Sequence, residues 1–72
     1  MVTIVMKSGR VFRDVELQSA TSGLVQVTMK RTVASGDELL GMVTGGEVFK
    51  FQEWHEGEWW VSFNTDAVEG VK

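Results

Sequence analysis

Seventy-two residues with no repeat or linker make one domain, 1–72, and the absence of cysteine and the single histidine exclude a disulfide framework and a Cys/His zinc site. Hydrophobic residues make up 43% and charged residues 24%, the balance of an ordinary globular chain rather than a disordered one. The net charge of −3 argues against a generic nucleic-acid binder, although it is unevenly spread: five basic residues face two acidic ones in 1–31, and two face eight in 32–72.

Val2 to Met6 is apolar but stops at Lys7, too short for a signal-peptide core or a membrane span. The expected setting is the cytoplasm, with no membrane association and no cofactor. A chain this short buries little apolar surface, and with no disulfide or metal to brace it, self-association is the remaining common remedy.

Alternation of apolar and polar residues dominates, and proline is absent, so the expected fold is all-β. In chain order, residues 2–6 form a strand with Val2, Ile4 and Met6 on one face, and Lys7 to Arg10 a tight turn. Residues 11–18 form a second strand with Val15 and Leu17 inward and Asp14 and Glu16 outward. Ser19 to Gly23 is a loop of small residues, and 24–33 a third strand with Val25, Val27 and Met29 inward. Residues 34–38 read as a loop, 39–43 as a fourth strand, 44–46 as a turn, 47–54 as a fifth strand and 59–63 as a sixth. Asn64 to Asp66 begins a short helical turn, capped by Asn64 or Thr65, and Val68 and Val71 anchor the end of the chain. Five or six short strands with short connections predict a small antiparallel barrel whose closure protects its edges.

The hairpin tip His55-Glu56-Gly57 carries the most information. A three-residue loop of this kind places its last residue in the left-handed region, where glycine is unstrained. The resulting register pairs Trp54 with Glu58, Glu53 with Trp59, Gln52 with Trp60, Phe51 with Val61, and Phe49 with Phe63. Phe49, Phe51, Trp59, Val61 and Phe63 then share the core face, and Val48, Lys50, Gln52, Trp54, Trp60 and Ser62 the outer face. A two-residue turn would split Phe49 and Phe51 from Val61 and Phe63, since a one-residue slip inverts every side chain.

Two tryptophans therefore lie outside the core as diagonal neighbours, an apolar area on the order of several hundred Å². Packing under the 34–38 loop or the C-terminal segment would hide them. Left uncovered, they suit self-association or a protein partner, with Trp54 and Trp60 as apolar anchors and Lys50, Gln52 and Ser62 as the polar surround. A stacking platform for a nucleobase is a further reading.

His55 stands among Glu53, Glu56 and Glu58, a set able to move protons or hold a metal, but a solvated tip lacks the shielding such chemistry needs. Neither a nucleophile elbow nor a phosphate-binding glycine loop is present, so no catalytic residue and no metal site is expected. Arg10, Arg13, Lys30 and Arg31 are the alternative site, a basic patch for nucleic acid if the fold brings them together.

The run Lys7 to Leu17 resembles the strand–turn–strand opening of Sm-like and SH3-like small barrels. Gly9 and Phe12 match the turn glycine and the apolar residue three positions on, while Asp14 occupies the place of the second glycine. The resemblance implies an SH3-like or Sm-like barrel. In size and acidity the chain is also similar to small accessory proteins of phages and mobile elements. The expected function is a non-catalytic binding or assembly module acting through the outer face of the 47–63 hairpin.

Overall fold

The computed structural model describes all of residues 1–72. Six strands, β1 (Val2–Met6), β2 (Val11–Ala20), β3 (Leu24–Lys30), β4 (Val48–Glu53), β5 (Glu58–Asn64) and β6 (Val68–Val71), accompany one helix, α1 (Gly36–Thr44). All neighbouring strands are antiparallel, in the order β4-β5-β3-β2-β1-β6. The sheet does not close into the expected barrel: β4 and β6 are its two edges. No helix is long and apolar enough to cross a membrane.

Strand β2 holds the two halves together. Its first half pairs with β1 and its second with β3. Between Phe12 and Val15 the register slips, and Asp14 there adopts φ 59, the left-handed conformation that most side chains avoid. This is the position where the small-barrel pattern has a glycine. The bulge keeps both Phe12 and Val15 buried.

Alternation places Ile4 and Met6 of β1, and Val25, Val27 and Met29 of β3, in a core of thirteen buried apolar residues. Leu17 departs from the expectation. It sits beside a register shift in β2 and is 40% exposed, although its partner Val27 is fully buried.

The fourth expected strand is instead α1. Ser35 caps it, accepting a hydrogen bond from the Glu38 N–H at 3.1 Å, and Asp37 and Glu38 place negative charge in its first turn. Nine residues are too few to hold a helix unaided. Leu39 and Met42, three apart, supply the stability by entering the core, each burial contributing about 2 kcal/mol. The segment contains one helical repeat only, and its nearly continuous apolar run, Leu39 to Val43, reads equally well as a buried strand.

At the C-terminus the expected helical turn is present as a 3-10 turn over Thr65–Ala67, but no side chain caps it. Asn64 instead donates its amide to the Gly46 carbonyl at 2.9 Å. Val68 and Val71 do not simply anchor a tail: they belong to β6, which pairs with β1.

Candidate functional site

The β4–β5 hairpin follows the bulged-tip register. Gly57 has φ 80, and Glu58 N–H donates to the His55 carbonyl at 2.9 Å. Glu53 stands opposite Trp59, Gln52 opposite Trp60, Phe51 opposite Val61 and Lys50 opposite Ser62. Beyond Lys50 the register shifts by one, so Val48 rather than Phe49 faces Phe63. Val48 is buried and Phe49 is 58% exposed, the reverse of the sequence expectation. The cause lies at the other end of the strand. Glu47 is held by its N–H on the Met42 carbonyl of α1, and its own carbonyl accepts from Asn64 N–H. The register set there and the one set at the tip differ by one residue, and the bulge at Phe49 absorbs it.

Trp59 enters the core side. Its indole N–H donates to the Ala34 carbonyl at 3.0 Å, Phe51 meets it edge-on at 5.4 Å, and the Arg31 guanidinium lies 4.6 Å from its ring centroid. Gly36 lies against the same ring, where an added Cβ would come to 3.7 Å. The segment before α1 therefore covers Trp59, not the outer pair.

Trp54 and Trp60 meet on the outer face, ring centroids 4.6 Å apart and inclined by 46°. Trp60 is half-buried beneath this contact, while Trp54 remains 46% exposed, with His55 edge-on to it at 5.0 Å. Strands β4, β5 and β3 lay out rows across this face. Gln52, Trp60, Thr28 and Glu16 form one row. On one side of it run Lys50, Ser62, Gln26 and Ser19. On the other side, toward the tip, Glu58 stands opposite Lys30, and Trp54 N–H donates to the Glu58 carbonyl at 3.2 Å.

Small polar residues floor this face. Ser19 donates to Gln26 at 2.6 Å, Gln26 donates to Ser62 at 3.3 Å, and Gln18 donates to Thr28 at 3.2 Å. Ser62 has no exposed surface. Of the five residues expected to meet a partner, Trp54, Lys50 and Gln52 are exposed, Trp60 is half-exposed, and Ser62 lies beneath them as part of the support.

The basic residues are dispersed among acidic ones. Arg10 pairs with Glu38 at 3.0 Å and Glu47 at 3.7 Å, a network that Ser8 joins through Glu47 and that ties the first turn to α1. Arg31 pairs with Glu53 at 3.4 Å, and Lys30 stands opposite Glu58. Arg13 is exposed in the first half of β2. At the tip, His55 and Glu56 are exposed, and no three acidic or histidine side chains converge as a metal site.

No protein-family model, curated protein or solved structure matches this chain.

Proposed function

We propose that the chain is a non-catalytic binding or assembly module, acting in the cytoplasm through the outer face of β4, β5 and β3. The observation that carries this reading is the Trp54–Trp60 contact at 4.6 Å on a face away from the core, with Trp54 still 46% exposed. An exposed aromatic anchor of this size is common at binding hot spots and costly to leave in water. Its surroundings suit coverage. The hydroxyls of Ser19, Thr28 and Ser62 and the amides of Gln18 and Gln26 already bond to one another. A partner that excluded water from this floor would strand none of those hydrogen bonds, and unpaired buried polar groups are what usually penalises covering a polar surface.

The fold is proposed to be an opened relative of the SH3-like and Sm-like barrels. The β1–β2–β3 meander, sharply adjusted within β2 at Asp14, supports this.

A photo-crosslinking side chain at Gln52, between the two anchors and Lys50, tests the surface in the cell that makes the protein. The expected result is a defined cross-linked product from Gln52 and none from a control position at Thr21, in the β2–β3 loop. Equal labelling from both positions, or none from Gln52, overturns the reading.

A further inference from the structure

The outer face carries two lysines, Lys30 and Lys50, and two glutamates, Glu16 and Glu58, in a chain whose net charge is −3. The face is thus neutral where the molecule is acidic. An isologous interface must complement itself, so charges that it brings together off the axis must be of opposite sign, placed so that a two-fold rotation exchanges them. The row containing Trp60 is flanked by the Lys50 row on one side and the Trp54 and Glu58 row on the other. Each lies one step, about 7 Å, from the Trp60 row. A two-fold axis running across the strands at Trp60 exchanges these flanking rows.

Resting on the reading of this face as a binding surface, we infer that its partner is a second copy of this chain, docked face to face about that axis. Trp60 of each copy meets Trp60 of the other, and Lys50 of each copy lies against Glu58 and Trp54 of the other. One contact then combines a charge pair with a cation over an indole face. Trp54, the most exposed part of the aromatic pair, becomes covered by the neighbour's lysine stem. Glu16, exposed at the far end of the Trp60 row and two strands from Trp60, lies on the axis and faces its own copy at the rim, where solvent screens the like-charge contact. Dimerisation also adds apolar burial to a core of only thirteen residues that no disulfide braces.

Sedimentation equilibrium of the full chain from about 1 μM to about 1 mM, the range in which modest protein affinities fall, tests this. The wild type is expected to move from the 8.0 kDa monomer mass to twice that value. Lys50→Glu and Glu58→Lys, each alone, create two like-charge contacts per dimer and should weaken association by at least about tenfold. Mixed in equal amounts they should regain wild-type association, because the heterodimer has an opposite-charge pair at both contacts. That recovery also shows both variants to be folded. A wild type that stays monomeric, single variants that associate like the wild type, or a mixture that fails to recover each overturns the two-fold dimer. If the wild type is monomeric but Gln52 still cross-links a different macromolecule, the dimer fails and the binding face stands. If Gln52 cross-links nothing, both fail.

Discussion

The indole N–H of Trp59 donates to the carbonyl oxygen of Ala34 at 3.0 Å, tying the start of β5 to the segment that leads into α1. The same ring carries Arg31 on its face. Trp59→Phe keeps the apolar bulk but removes the hydrogen bond and weakens the cation contact, so it should destabilise the fold by about 1–2 kcal/mol. Trp54→Phe, at an exposed position, should change stability by less than about 0.5 kcal/mol. Urea denaturation of the two variants at a concentration where the chain is monomeric measures the contrast, and similar losses in both would show that Trp59 has no such anchoring role.

Asp14 holds φ 59 at the bulge of β2. Glycine adopts that conformation without strain, and aspartate tolerates it better than most residues. Asp14→Gly should therefore leave stability unchanged or raise it by up to about 1 kcal/mol, whereas Asp14→Val should lower it by about 1–2 kcal/mol. Thermal unfolding of the pair reads the sign directly; a valine variant as stable as the wild type would rule out the left-handed backbone.

The bulge in β4 makes neighbouring residues unequal. Val48 is 1% exposed opposite Phe63, and Phe49 is turned out of the core. Val48→Ala should cost about 1–2 kcal/mol by leaving a small cavity. Phe49→Thr should stay within about 0.5 kcal/mol of the wild type. An unshifted register predicts the opposite order, so equilibrium unfolding of the two variants decides between them.

Ser35 accepts the Glu38 N–H at the start of α1. Ser35→Ala should destabilise by about 1 kcal/mol, and Ser35→Asp should retain most of the cap. Arg10→Ala, which breaks the exposed pairs to Glu38 and Glu47, should cost under about 1 kcal/mol and less in high salt. Hydrogen exchange in residues 38–42 would report loss of the cap locally, and unchanged protection there in Ser35→Ala would count against it.

Much of the sheet is legible in the sequence. β1 and β3 alternate cleanly, and Gly57 at the tip specifies the register through Lys50, which in turn places Trp59 inside and Trp60 outside. The Ser35-Gly36-Asp37-Glu38 run was an available sign of a helix start, with a capping serine and acids in the first turn. The four apolar residues among the five that follow, Leu39 to Val43, read equally well as a strand. The supporting role of Ser62 was not legible, because burial of a small polar side chain depends on the longer neighbours that close over it from β3 and β4.

By itself the sequence determined what local chemistry controls: which strand faces are apolar, where glycine must turn the chain, and that adjacent tryptophans point to opposite sides. Only the tertiary structure decided whether Leu39 and Met42 had a core to enter, and so whether residues 39–43 became helix rather than strand. It also decided how two registers, one set at Gly57 and one at Glu47, were reconciled at Phe49, and that β4 and β6 stay apart and leave the sheet open. These outcomes turn on contacts between segments distant in the chain, and no pattern within a single segment contains them.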